Sequence, residues 1–148
     1  MMLYFDYFQS MSKSNKKELN NMPLPEYRAW DKEEKTMRPV TMLYIKRKAV
    51  YCSLIEFSDF GIGQEFNYAE IELMQYTGYT DSELNKIFED DVIEHRFMIN
   101  AGHNDVQEQT EIIHIKDIRH LPFDGSSIGA KVIGNIYDNP ELLEQVSQ

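Results

Sequence analysis

Short β-rich runs, separated by turn residues, dominate this chain. The first runs are Tyr27–Trp30, Met42–Ile45 and Ala49–Phe57, whose aromatic and β-branched residues suit a half-buried pleated surface. The second half repeats the pattern in Ile71–Thr77, Ile87–Ile99, Glu111–Ile118 and Ala130–Tyr137. Many short strands with frequent turns predict a mainly β protein, a small barrel or roll in which helix is a minor component.

Three turns define the expected connections. Asp31–Lys35 is a charged loop between the first run and a return strand that begins at Met37, so this segment predicts a hairpin. Gly78 follows the run that ends at Thr77 and permits a bend or bulge that a side chain would block. Ala101–Gln109 is the expected tip of a further hairpin, with glycine and asparagine as turn formers.

Helix is expected at two short segments. Thr80 or Asp81 is a candidate cap for one helical turn over Ser82–Leu84. Near the C-terminus, Asn139 predicts a side-chain cap and Pro140 suits the first helical position. Two glutamates that follow within four residues would face the positive end of the helix dipole.

Composition and charge exclude several classes of protein. The 148 residues fit one domain, and a hydrophobic content of 42% is enough for a core. A formal net charge of -10 argues against a general DNA or RNA binder. The single Cys52 excludes an intrachain disulfide, fits a reducing cytoplasm and is expected to pack as a small hydrophobe. No apolar run reaches the roughly 20 residues that span a bilayer.

No catalytic or metal-binding motif stands out. The histidines are His95, His103, His114 and His120. They form no His-x-x-x-His pair and no Cys-x-x-Cys pair occurs, so we predict no metal site, no cofactor and no enzyme. Glu89–Asp91 groups three carboxylates, which a divalent-cation site or an acid/base pair could use. The favoured reading is a turn in which Asp91 accepts backbone N–H groups.

Residues 1–21 are expected to lie outside the folded domain, which would cover residues 22–148. Lys17-Glu18 can be encoded as AAGGAG, a ribosome-binding sequence, and three further codons separate it from Met22. Met22 is therefore our expected native start. Codons other than AAG and GAG at these two residues would contradict this hypothesis.

Three segments, in this order, carry a resemblance to a known family: Arg28–Asp31, Leu73–Tyr79 and Val132–Leu143. Together they resemble the signature of the YopX family of small phage and prophage proteins, over roughly Tyr27 to Glu144. The resemblance implies an SH3-like β-barrel and no established function. Such barrels host peptide binding, nucleic-acid binding and assembly, so the fold alone does not choose among these roles.

Within the first segment, Trp30 is expected in the core, and the flanking Arg28 and Asp31 are candidates for an ion pair. After the second segment, relatives place glycine at two positions that this chain fills with other residues. Leu84 or Asn85 stands near the first, and Asp90 replaces the second. Asparagine and aspartate are the next-best residues for the positive φ that glycine permits, so both turns are expected to survive.

The altered loop and the aromatic residues before it give the predicted interaction surface. Its residues are Tyr76, Tyr79, Asn85, Glu89 and Asp90. The two tyrosines flank Gly78, so one of them is expected to be exposed.

These observations predict a phage or prophage accessory protein that acts by protein–protein contact in the cytoplasm of a bacterial host, away from the membrane. Its protein partner is unknown, and a homo-oligomer is open because exposed strand edges invite pairing. One alternative is an acidic inhibitor of a host defence nuclease, which would carry its carboxylates on one face. The other is a nucleic-acid-binding barrel that uses Tyr76, Tyr79 and Lys46–Lys48.

Overall fold

The structure, a computed structural model, describes residues 25–54, 62–102 and 105–146. These residues form a mainly β fold, as predicted from the sequence. The strands are β1 (Tyr27–Asp31), β2 (Thr36–Tyr44), β3 (Ala49–Ser53), β4 (Gly63–Asn67), β5 (Ile71–Thr80), β6 (Lys86–Phe88), β7 (Asp91–Gly102), β8 (Asp105–His114) and β9 (Ser127–Asn135). A short 3₁₀ helix, Pro140–Gln145, follows. The extension expected at residues 1–21 lies outside the described residues.

The strands form two antiparallel sheets. One sheet has six strands in the order β4-β3-β2-β1-β5-β6, and the other has three in the order β8-β7-β9. Among the described strands, β4 and β6 stand at opposite edges of the larger sheet and do not pair, so no closed barrel forms. Closure fails because β6 has three residues and the chain then turns at Glu89 into the second sheet.

The predicted hairpin and the predicted bulge are both confirmed. β1 pairs with β2 around the Asp31–Lys35 turn, and Asp31 Oδ1 accepts the Glu33 and Glu34 N–H groups at 3.0 and 3.1 Å. In β5 the pairing register with β6 shifts between Tyr76 and Thr80. Gly78 lies in this shift with φ 88°, a left-handed conformation that glycine adopts without a Cβ clash.

Apolar side chains pack in three clusters. The cluster of the six-stranded sheet contains Ala29, Val50, Cys52, Phe66 and Ile71. The cluster of the second sheet contains Ile87, Ile93, Ile115 and Ala130. Trp30, Met74 and Phe88 form a third cluster, against which Tyr137 packs. Cys52 is fully buried as predicted, and this burial raises the pKa of its thiol to about 11.

Several boundaries predicted from the sequence were wrong. β4 was missed because its sequence, Gly-Gln-Glu-Phe-Asn, has a single buried apolar residue, Phe66. β8 ends at His114, because Ile115 turns to exchange hydrogen bonds with the Glu89–Asp91 turn. The hairpin expected to open at Ala101 stays paired as far as Gly102 and Asp105.

The two helical predictions had different outcomes. The C-terminal helix exists, with proline in its first turn, but Asn139 makes no side-chain cap bond. Instead the backbone oxygen of Asn139 accepts the Leu142 N–H at 3.0 Å. Ser82–Leu84 is not helical: the Asp81 side chain accepts the Glu83 and Asn85 N–H groups and closes a non-helical turn.

Candidate functional site

The Glu89–Asp91 turn joins the two sheets, and all three carboxylates are engaged within the protein. Glu89 Oε2 accepts the Gln75 N–H at 3.0 Å, and its Oε1 accepts the Ile118 N–H at 3.4 Å. Asp91 Oδ2 accepts the Phe88 N–H at 2.8 Å, as predicted for this turn. The turn is therefore held by its own side chains.

Arg28 of β1 forms an ion pair with Asp91 across this joint. The distance from Arg28 Nη2 to Asp91 Oδ1 is 2.5 Å, and the Asp91 side chain is 1% exposed. The Arg28 guanidinium also lies over the Phe88 ring, 4.6 Å from its centroid. Burial raises the pKa of Asp91 above its ordinary value, and the Arg28 charge opposes that rise. The expected Arg28–Asp31 pair is thus wrong: Asp31 pairs with Arg38 at 2.9 Å, on the other face of the sheet.

Asp90 links the Glu89–Asp91 turn to the end of β8 and to the segment that follows β9. Its Oδ1 lies 3.0 Å from His114 Nε2 at the end of β8, and its Oδ2 accepts the Tyr137 hydroxyl at 2.7 Å. The Tyr137 ring in turn stacks on Trp30, with centroids 5.5 Å apart. Burial and then Asp90 raise the pKa of Tyr137, so the hydroxyl stays protonated and donates. We call Arg28, Trp30, the Glu89–Asp91 turn and Tyr137 the junction.

The C-terminal segment packs against β9 through a glycine. A Cβ added at Gly134 would lie 2.4 Å from Asn139 Oδ1 and 2.7 Å from Leu142 Cδ1, so a side chain there would displace the segment. Asn135 Oδ1 accepts the Tyr137 and Asp138 N–H groups at 3.0 and 2.9 Å. These contacts place the Tyr137 ring at the junction.

The junction thus assembles residues from segments that lie far apart in the sequence. Arg28 and Trp30 come from the first segment and Tyr137 from the third, and Gln75 of the second segment donates its N–H to Glu89 of the turn. A family model described as "YopX protein" matches residues 26–144. The chain belongs to the YopX family. The recognised segments therefore mark a structural joint in this YopX protein, with Trp30 in the core as predicted.

The chain is also similar to a solved structure. It is titled "Crystal structure of protein EF1440 from Enterococcus faecalis" and is 24% identical, with a TM-score of 0.47. The match covers 82% of this chain and 99% of that chain. No curated protein matches this YopX protein.

The loop that departs from the family pattern covers one edge of the second sheet. Buried Asp81 accepts the Val132 N–H of β9 at 3.1 Å and the Asn85 side-chain N–H at 3.1 Å. Burial alone would raise the pKa of Asp81, but its hydrogen bonds hold that pKa below the ordinary value. Ser82 N–H donates to the Ala130 oxygen at 2.9 Å. The loop therefore pairs with β9 as a short substitute for a strand.

In the two turns where relatives place glycine, the residues with positive φ are Leu84 and Asp90. Asp90 has φ 65°, as expected for the residue that replaces a glycine. In the other turn Leu84, with φ 68°, takes this conformation, and Asn85 instead bonds to Asp81. The Leu84 side chain is 82% exposed at the tip of the loop.

The residues of the predicted interaction surface lie in different environments. Tyr79 is 48% exposed and lies against Phe123, with ring centroids 4.8 Å apart, whereas Tyr76 is half-buried beside Phe88. Asn85 is exposed in the loop. Glu89 and Asp90 hold the turn and the junction. Whether the five form one binding surface stays a prediction.

A hydrogen-bond chain in the second sheet escaped the sequence analysis. Buried His95 lies with Nδ1 3.1 Å from Glu111 Oε1 and Nε2 2.9 Å from Ser127 Oγ. The Asp124 N–H also donates to Ser127 Oγ, at 3.1 Å. No local pattern indicates this contact, because His95, Glu111 and Ser127 belong to different strands. These hydrogen bonds give both nitrogens of the buried His95 ring a partner, and they link β7, β8 and β9.

Residues 25–54, 62–102 and 105–146 contain no group of three or more His, Cys, Asp and Glu side chains that could hold a metal ion. The same residues contain no helix long and apolar enough to cross a membrane.

The two edges of the second sheet differ. The Asp81–Asn85 loop covers β9, but β8 pairs only with β7 among the described strands. β7 pairs with β9 as far as Phe97 and with β8 as far as Gly102, so the end of the β7–β8 hairpin extends beyond the sheet as a two-stranded ribbon.

The direction of the free hydrogen-bonding groups follows from two contacts. The Ile115 N–H donates to the Asp91 oxygen of β7, and the Met98 N–H donates to Ser126, away from β8. Alternation along the antiparallel ladder then directs the N–H groups of Glu108 and Thr110 outward. Among the described strands, none pairs with the outer edge of β8, which therefore presents backbone donors and acceptors.

Proposed function

We propose that this YopX protein is a non-enzymatic binding protein whose partner adds a strand to the outer edge of β8. The observation that carries the proposal is the difference between the two edges: the Asp81–Asn85 loop covers β9, whereas no described strand pairs with the outer edge of β8. A free edge supplies backbone hydrogen bonds to an extended segment, and alternate side chains supply the selectivity.

The charge of β8 indicates the chemistry of the partner. β8 carries Asp105, Glu108 and Glu111 and no lysine or arginine. Like charges across two strands oppose pairing and opposite charges favour it. The partner strand is therefore expected to carry lysine or arginine.

A proline substitution tests this proposal. Thr110→Pro removes an outward N–H and places a ring where the partner strand would lie, while the bonds to β7 remain. Thr110→Ala is the matched control, because it keeps the N–H group. Extended peptides selected from a random library on the wild-type protein should bind the alanine variant and lose binding to the proline variant.

The result distinguishes strand addition by a partner, strand addition by a second copy of the chain, and binding elsewhere. Enrichment of lysine and arginine in the selected peptides, together with loss of binding in Thr110→Pro, supports strand addition. Equal binding to both variants, with unchanged circular dichroism, would overturn it. A dimer of the wild type that Thr110→Pro abolishes in light scattering would identify a second copy as the added strand.

The biological setting remains part of the proposal. Family membership supports a phage or prophage accessory protein that works in the bacterial cytoplasm, and an SH3-like relationship of the six-stranded sheet is proposed with it. The acidic β8 also favours a second candidate, an inhibitor that occupies the nucleic-acid groove of a host nuclease. Inhibition of a host nuclease that Glu108→Gln and Glu111→Gln weaken would support this candidate, and inhibition unchanged by both substitutions would contradict it.

A further inference from the structure

A pocket of about 350 Å³ opens beside the junction. Eight described residues line it, among them Tyr27 and Arg38. The other six form pairs two residues apart, so each pair lies on the same face of the six-stranded sheet. The pairs are Glu26 and Arg28 at β1, Met37 and Pro39 on β2, and Lys86 and Phe88 on β6. Small-molecule sites begin at about 300 Å³, so this pocket is large enough to hold a compact ligand.

The lining combines an apolar wall with an excess of positive charge. Met37, Pro39 and Phe88 supply the wall, and the charged lining residues are Arg28, Arg38 and Lys86 with one carboxylate, Glu26. Asp91 and Asp31 pair with Arg28 and Arg38 but do not line the pocket, so the lining itself is net positive in a chain with a net charge of -10. Asp91 anchors Arg28 through Nη2, while Arg28 Nη1 has no partner among the described residues.

The Lys86–Glu26 ion pair lines the pocket and is exposed to solvent. Lys86 Nζ lies 2.6 and 2.7 Å from the two Glu26 oxygens, and the side chains are 48% and 46% exposed. An ion pair this exposed contributes little, so a ligand can replace either member. Replacing Glu26 with a ligand anion leaves Lys86 paired, whereas a ligand cation at Glu26 would leave Lys86 unpaired on the same pocket wall as Arg28.

We propose that this pocket binds a small organic anion, a carboxylate carried on an aromatic ring or a short hydrocarbon chain. The ligand carboxylate takes the place of Glu26 beside Lys86, and its apolar body lies against Met37, Pro39 and Phe88. Binding here is independent of strand addition at β8.

The experiment compares 4-phenylbutyrate with its neutral amide, 4-phenylbutyramide, by NMR titration of the full chain. The acid should shift the amide signals of Glu26, Lys86 and Phe88, and the amide should bind more weakly. Lys86→Met should abolish the preference for the acid. Glu26→Gln, which releases Lys86, should tighten binding of the acid about two- to fivefold.

The chain contains a matched control pair. Lys131 and Glu83 form an exposed ion pair of similar length, 2.8 Å, with side chains 55% and 59% exposed. Lys131→Met and Glu83→Gln change the net charge as the pocket variants do but lie outside the pocket, so neither should alter binding of the acid. Equal affinity for acid and amide, or an equal effect of Lys131→Met and Lys86→Met, would overturn the proposal.

Discussion

Trp30 and Tyr137 stack with their ring centroids 5.5 Å apart and their planes inclined by 21°, so a ring of the first strand holds the C-terminal segment in place. Trp30→Ala removes this stack and a buried indole, and we expect the free energy of unfolding to fall by about 3–5 kcal/mol.

Tyr137→Phe keeps the ring and removes the bond to Asp90, so we expect the free energy of unfolding to fall by about 1–2 kcal/mol. Urea denaturation measures both.

Tyr79→Phe is the control for loss of a hydroxyl group. The Tyr79 ring is 48% exposed and its hydroxyl bonds to no described residue. Its removal should change the free energy of unfolding by less than about 0.5 kcal/mol. Equal losses for Tyr79→Phe and Tyr137→Phe would contradict the role given to the Asp90–Tyr137 bond.

The Arg28–Asp91 pair predicts a pH-dependent defect. Arg28→Met leaves Asp91 buried without its cation, so we expect a loss of about 3–5 kcal/mol at neutral pH. Burial already raises the pKa of Asp91 in the folded protein, and loss of Arg28 raises it further. The folded variant then binds a proton more tightly than the unfolded chain, so its stability falls as pH rises through that pKa.

Urea denaturation at about pH 5 and at about pH 7 tests the sign of this effect. The difference between wild type and Arg28→Met should be larger at the higher pH. A difference that is equal at the two pH values would show that Asp91 does not carry the penalty.

The sequence allowed prediction of those structural features that depend on residues within a single segment. The hairpin at Asp31–Lys35, the bulge at Gly78 and the burial of Trp30 follow from turn residues, a glycine and an aromatic residue in a strand. The contacts between segments did not follow. Arg28 pairs with Asp91 instead of the nearby Asp31, because alternation places Asp31 on the opposite face of β1.

The candidate sites show the same limit. Glu89 and Asp90 stand out in the sequence as exposed-looking carboxylates, but the fold supplies each with hydrogen-bond donors. The free edge of β8 and the pocket at Lys86 depend on strand order, which pairing across the chain decides. A linear pattern does not encode which edge remains uncovered.

Asp81 predicts a loss of stability in acid. Its hydrogen bonds lower its pKa despite burial, so the folded protein binds this proton less readily than the unfolded chain. The stabilisation is complete above the unfolded pKa of 3.8 and is lost as pH falls through the lower folded pKa. The difference in unfolding free energy between wild type and Asp81→Asn should therefore shrink below about pH 4.

Ser82→Ala is the control for this pH series. It removes a hydrogen bond of 2.9 Å from the same loop to Ala130 but no carboxylate. Its effect on urea denaturation should stay constant across the same pH range. If the stability difference from wild type shrinks in acid for Ser82→Ala as well, the pH dependence does not come from the Asp81 carboxylate alone.

Leu84 stands in a conformation that costs a leucine about 1–2 kcal/mol, because its Cβ crowds the backbone at positive φ. Its side chain is 82% exposed, so packing contacts offset little of this conformational free-energy cost. Leu84→Gly should therefore raise the free energy of unfolding by about 0.5–1 kcal/mol, measured by urea denaturation. Val106→Gly is the control, since Val106 is exposed in a regular strand and glycine there should destabilise.

A destabilised Leu84→Gly variant would mean that the leucine side chain makes contacts that hold the loop on β9. A stabilised one would show that the loop keeps its shape through Asp81, with the leucine left free for contact with a partner.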